Sequence, residues 1–213
     1  MPADRVNSFG EKYAADKTIL FQTQQKFLEI SYTAKSLFEP TPKFLLKTNY
    51  ILNLNNSLSE ISTGYSENTK RNIAKAEKRK LQFISGKLAI QSFSDFVSSH
   101  TQNSGKTIEI LANVLKEHEH LLICAVCSEN QELQAADLCI KTHNRIIHLV
   151  PVTTADGRKN GAMHFLIHNL IYQFQQQNYL LDFEGSSIPS IARFYRSFGA
   201  TEEYFFEKKR LVR

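Results

Sequence analysis

Between Leu180 and Ala200 an apolar run ends in Asp182-Phe183-Glu184-Gly185, and Ser186, Ser187, Arg193, Tyr195 and Arg196 follow before Gly199. These are groups that move protons and hold anions. A carboxylate serves as a general base when burial or a neighbouring like charge raises its pKa. On a strand Asp182 and Glu184 share a face, with Phe183 on the other, so Asp182 can supply that neighbour. Glu184, nearer the strand end, is the general-base candidate. A structural role is also open to it, capping the next helix or pairing with Arg193 or Arg196. Ser186 and Ser187 suit an N-cap or a place facing substrate, and Pro189 suits the first helical turn. Tyr195 either donates a proton or packs as core, since Phe194 and Phe198 show that this helix also supplies apolar contacts.

A second stretch, Thr154-Ala155-Asp156-Gly157-Arg158-Lys159-Asn160-Gly161-Ala162, opens a helix expected to run from Lys159 to Gln177. Its inner stripe is Ala162, Phe165, Leu166, Leu170 and Phe174. A helix N-terminus presents unpaired N–H groups that suit pyrophosphate. An ordinary strand–helix turn is the alternative. Lys70, Arg71, Lys75, Lys78, Arg79 and Lys80 form a third cluster, either a solvated helix face or a surface for phosphates.

The elements around these residues follow from spacing. Residues 19–38 have helix-compatible spacing, ended by Pro40 and Pro42. A strand follows over 43–54, then helix from Leu58 to Lys80 in two pieces with Gly64 as the break. Residues 93–100 and 107–120 read as helices. Three strands over 120–127, 133–143 and 145–153, joined by short turns, make an antiparallel meander. The long helix, the strand 179–184, the helix from Pro189 and a last strand complete the chain. That order predicts an α/β (α+β) architecture with a mixed central sheet and helices on both faces.

Composition sets the frame. The 213 residues are 42% hydrophobic and 22% charged, with net charge +5. No apolar run approaches the ~20 residues of a membrane span, and the polar N-terminus lacks a secretory apolar core. A soluble cytoplasmic protein is expected. Of the three cysteines, Cys124 and Cys127 have knuckle spacing, but residues three apart on a strand face opposite ways. His164 and His168 lie one helical turn apart, with no carboxylate in a matching pattern. No metal is expected.

The order of elements resembles the GNAT superfamily of N-acetyltransferases. The stretch from Asp182 to Ala200 is similar to the C-terminal signature of Fem-type and related acetyltransferase-like domains, as are 48–54 followed by 65–78, and 156–167. The resemblance spans Lys43 to Arg213. It implies a GNAT-like acyl-CoA N-acyltransferase fold over 43–213, preceded by an appendage or remnant, 1–42, too short for a second copy of the fold. It implies an enzyme transferring an acyl group from acetyl-CoA or another acyl-CoA to a small-molecule or peptide amine, with Tyr195 as proton donor to the departing thiolate. Val152, Asp156, Gly157, Arg158, Lys159, Asn160, Gly161 and Ala162 would hold the cofactor, and Asp182, Ser186, Ser187 and Arg193 the substrate. The family's cofactor loop ends in a small residue where this chain has Met163. Two alternatives stand beside this reading. One is Fem-type transfer from aminoacyl-tRNA to a cell-wall precursor, with Lys70–Lys80 on the RNA. The other is a non-catalytic binding module. A homodimer is implied by the resemblance alone.

Overall fold

The computed structural model describes residues 30–31, 44–86, 88–101, 121–185 and 188–208. The elements are β1 (Ile30–Ser31), β2 (Phe44–Asn53), α1 (Leu58–Ile61), α2 (Glu67–Lys78), β3 (Gln82–Ser85), α3 (Ile90–His100), β4 (Leu121–Cys127), β5 (Leu133–Lys141), β6 (Arg145–Thr153), α4 (Ala155–Asn160), α5 (Ala162–Phe174), β7 (Leu180–Gly185), α6 (Pro189–Arg196) and β8 (Thr201–Lys208). The expected helix over 107–120 and the appendage, apart from Ile30 and Ser31, lie outside the described residues. Those two residues form a strand paired with β8, not the helix expected there. Strand β3 is an addition to the elements expected from sequence.

The eight described strands join one sheet, in the order β1-β8-β2-β7-β6-β5-β4-β3. The meander β4–β5–β6 is antiparallel, as its short turns demand. Among the described strands only β6 and β7 run parallel, because α4 and α5 carry the chain back across the sheet between them. The sheet is therefore mixed.

Period-two alternation divides its side chains between two cores. Ile146, Leu181, Phe183 and Cys139 face α2, α5 and α6, while Ile147, Leu138 and Ala136 face α3. Helices thus cover both faces. On α5 the buried stripe is Ala162, Leu166, Ile167, Leu170, Ile171 and Phe174. It is wider than expected and turned slightly from it, leaving Phe165 half-buried at the margin.

Caps fix where the helices start. Ser57 and Glu60 form a reciprocal capping box on α1, and the Ser66 hydroxyl accepts the Thr69 N–H at 3.2 Å on α2. Pro189 starts α6. The Ser66 N–H donates to Ser197 O at 2.8 Å, and the Thr69 hydroxyl donates to the Ser197 hydroxyl at 2.8 Å. The start of α2 is thereby tied to the end of α6, which carries Tyr195.

Candidate functional site

The site lies where β6 and β7 part. Their parallel pairing ends at Ile147 opposite Asp182, and both strands distort at once. In β6, Cys139 lies opposite His148 but Leu138 opposite Val150, so one residue is bulged out. In β7, Ile51 lies opposite Asp182 but Asn49 opposite Gly185, again one residue extra. Glu184 sits there at φ +61, and its N–H donates to Asp182 Oδ1 at 2.9 Å. Paired bulges turn the strands away from each other. The simple alternation expected for Asp182 and Glu184 is broken at this point.

Four polar side chains meet on the α5/α6 face beneath the parting. Asp137 of β5 places Oδ2 2.5 Å from His148 Nδ1. The Cys139 thiol donates to the same oxygen at 2.8 Å. Asp137 and His148 are both buried. Burial, then the adjacent Cys124 thiol and the Asp137 charge, push the Cys139 thiol well up, so it stays a donor. The His148 ring lies edge-on to Phe183 and to Tyr195, at centroid distances of 5.9 and 6.0 Å. Tyr195 stacks on Phe183 at 4.8 Å. Burial pushes the Tyr195 phenol up, and the charges of Asp137, Glu184 and Asp182 push it further. This phenol therefore holds its proton more tightly than a free tyrosine, and its hydroxyl has no hydrogen-bond partner among the described residues.

On the other face, Asp182 has a different role from the substrate binding expected of it. It is completely buried. Its Oδ2 accepts from Arg145 Nη1 at 3.0 Å, while its Oδ1 holds the Glu184 N–H. Arg145 also grips Glu203 through Nη1 at 2.9 Å and Nη2 at 2.8 Å, and the Asn49 amide donates to Glu203 at 3.2 Å. This cluster ties β6 to β7, β8 and β2, and holds the β7 bulge in shape.

The expected cofactor loop is helical. Residues Ala155–Asn160 form α4, capped by Thr154, whose hydroxyl accepts the Gly157 N–H at 2.8 Å. The Arg158 N–H goes to Thr154 O and the Gly161 N–H to Arg158 O. Those three donors are already used. The space beside Gly161, at φ +77, is filled by α2, because a Cβ there would collide with Asn72 O. A Cβ on Gly157 would collide with Gln134 O. Both glycines permit close packing of α4, and neither leaves an open cradle. The Asn160 amide donates to Gln134 Oε1, Ala162 is core, and the Val152 side chain points into the α3-side core. Asp156, Arg158 and Lys159 are exposed; Lys159 pairs with Asp156, and Arg158 donates to Thr153 O. Arg193 is exposed on α6. Ser186 and Ser187 lie outside the described residues.

Beside α4 runs a basic surface. On α2, Thr69, Ile73 and Ala76 are buried, and helical spacing puts Arg71, Lys75, Lys78 and Arg79 together on the opposite, exposed side. Lys75 Nζ donates to Lys159 O at 3.2 Å, joining that stripe to Arg158 and Lys159. His164 and His168 of α5 face this region from inside. Burial, aided by the Lys75 charge, pushes His164 down to about 4. The Tyr65 hydroxyl lies 3.4 Å from His168 Nδ1. The pair is thus packed between helices, and no group of three or more metal-ligating side chains occurs among the described residues. No helix among them is long and apolar enough to cross a membrane.

No protein-family model matches the sequence, and no curated protein matches it. Solved structures do. FemX superposes with a TM-score of 0.62 at 10% identity, over 83% of this chain and 63% of that one. The chain shares the fold of FemX. The same fold relates it to L-PGS from Bacillus licheniformis, at TM-score 0.54 and 11% identity over 80% of this chain and 63% of the other. A C-terminal domain assigned to a lysylphosphatidylglycerol synthetase of Agrobacterium fabrum matches at 0.52 and 10%, over 79% of this chain and 62% of the other. This chain spans less than two thirds of each of these structures.

Sequence reading singled out Tyr195 and Glu184 in this region; it gave no role to Asp137, His148, Cys139, Arg145 and Glu203, which the structure brings onto the same strands. Two signals were present. Asp137 is a charged residue inside an apolar strand run and Arg145 opens another, and a buried charge needs a partner.

Proposed function

We propose that this protein transfers an acyl group to an amine acceptor, and that its donor is an aminoacyl-tRNA ester in preference to acyl-CoA. The observation that carries the choice of donor is the state of the α4 segment. Its N–H groups at Gly157, Arg158 and Gly161 are spent within the protein, so a pyrophosphate finds no backbone cradle among them. The adjoining cations of α2 and α4 suit an extended phosphate backbone instead.

The phenol supports the same donor. A proton donor works best when its acidity is matched to the leaving group. The raised Tyr195 suits a ribose alkoxide better than a thiolate. In the proposed step the amine nitrogen bonds to the acyl carbon, the C–O bond to ribose breaks, and Tyr195 gives its proton to the departing oxygen. Glu184, half-buried beside the parting strands, adds negative field at that phenol.

The test is binding by the intact chain to a charged total tRNA pool and to acetyl-CoA, the first at two salt concentrations. Binding to tRNA that weakens steeply with salt is expected. A saturable thermal shift with acetyl-CoA, and none with tRNA, would sink the choice of donor and restore the thioester.

A further inference from the structure

We propose that His148 is the general base of this site, with Asp137 as the residue that positions it. The inference rests on the acyl-transfer reading above and names the group that removes the acceptor's proton.

His148 is the residue immediately after Ile147, the last residue of β6 paired with β7, and it lies at the bulge where the strands part. Its ring meets Phe183 of β7 and Tyr195 of α6 edge-on. It therefore stands between the parting strands and the proposed proton donor.

The chemistry of the ring follows from its partner. Asp137 Oδ2 faces Nδ1 at 2.5 Å, and a carboxylate can only accept, so in the neutral ring Nδ1 carries the hydrogen and Nε2 the lone pair. The Cys139 thiol steadies the same oxygen at 2.8 Å. Nε2 has no partner among the described residues, and Asp137 Oδ1 is buried with none. A histidine kept for packing alone would have both nitrogens satisfied, since buried polar groups are almost always hydrogen-bonded. A carboxylate that fixes one nitrogen and leaves the other bare is the arrangement that base catalysis requires.

Protons and bonds balance in the resulting cycle. The amine attacks the acyl carbon and gives one N–H proton to His148 Nε2, directly or through one water. The C–O bond of the donor breaks, and Tyr195 protonates the leaving oxygen. The imidazolium then returns its proton to the Tyr195 phenolate beside it. The products are an amide and a free ribose hydroxyl, and both side chains end as they began. Glu184, which sits on a left-handed backbone at the rim, is the rival base.

The experiment uses the full chain, with charged total tRNA or acetyl-CoA as donor and glycinamide as acceptor. H148A should lower turnover by about 10²-fold or more and recover it when imidazole is added to the buffer, whereas imidazole should leave the turnover of E184Q unchanged from its own starting level. In parallel, nitrogen NMR of histidine-labelled protein, with the His148 signal identified by its loss in H148Q, should show hydrogen on Nδ1 and a bare Nε2, and D137N should abolish that preference. H148Q also covers the case in which H148A does not fold. Turnover by H148A at the wild-type rate, a loss that imidazole does not restore, or a hydrogen found on Nε2 would overturn the base while leaving acyl transfer standing. Wild-type protein inactive with both donors would overturn acyl transfer itself, and the base role with it, whatever the tautomer.

Discussion

Two charged clusters sit back to back on the central strands. On the α3-side face, Arg145 binds Asp182 and Glu203, both Asp182 oxygens are occupied, and Asn49 completes the set. On the α5/α6 face, Asp137 has one bare oxygen, and the His148 Nε2 and the Tyr195 hydroxyl have no protein partner among the described residues. The first pairs all four of its carboxylate oxygens and joins four strands. The second leaves one carboxylate oxygen, one imidazole nitrogen and one phenol hydroxyl without a protein partner among the described residues. A closed buried cluster fixes geometry, and an open one carries an energetic cost that a passing substrate can relieve. One sheet thus carries a structural cluster and the proposed site on opposite sides of the same strands.

The largest effect should come from opening the closed cluster. Arg145→Ala removes the guanidinium that Asp182 and Glu203 share in the interior, and should cost about 3–5 kcal/mol of stability in urea unfolding. A loss near zero would mean that the cluster does not hold the strands. The pH dependence comes next. His164 takes a proton in the unfolded chain near the ordinary 6.5 but in the folded protein only near about 4. The unfolded state therefore binds more protons in that window, and stability should fall as pH drops from 6.5 through 4. His168, lowered by burial against the opposing Glu77 charge, acts in the same direction. His164→Phe should flatten the decline in melts taken above and inside the window, and an unchanged slope would assign it elsewhere.

On the open cluster the expected signature is reversed. Tyr195→Phe removes a hydroxyl with no protein partner among the described residues, so stability should stay within about 1 kcal/mol, while turnover drops by roughly 10²–10⁴-fold. A large stability loss with turnover intact would make Tyr195 a packing residue. The smallest structural effect belongs to the surface. Arg71→Glu with Lys78→Glu should change stability by no more than about 0.5 kcal/mol, yet weaken tRNA binding and shrink its salt slope by roughly one for each phosphate no longer neutralised. Unchanged tRNA binding would remove α2 from the donor surface. A bulky residue at Gly161, by contrast, reports nothing about a cofactor, because it would strike Asn72 of α2 first.

How much of this was legible in sequence depends on the range over which each feature is encoded. The meander was readable from its turns, α2 and α5 from their periodicity, and the α6 start from Pro189. Tyr195 and Glu184 stood out because they share one short stretch. The α4 segment misled because its glycines look like a phosphate loop. They are there because Gln134 and Asn72 crowd them, and those neighbours are distant in the chain.

The sequence by itself determined the antiparallel meander, the mixed sheet with helices on both faces, and the basic stripe of α2. Each is written within one strand, one turn or one helix, where alternation and helical spacing act locally. Only the tertiary structure decided that Asp137 meets His148, that Arg145 meets Asp182 and Glu203, and that Asp182 is a brace. Those meetings depend on strand register, and each bulge shifts the register by one residue. A one-residue shift moves side chains to the opposite face, so the bulges at the parting of β6 and β7 set which charges are closed and which are left open.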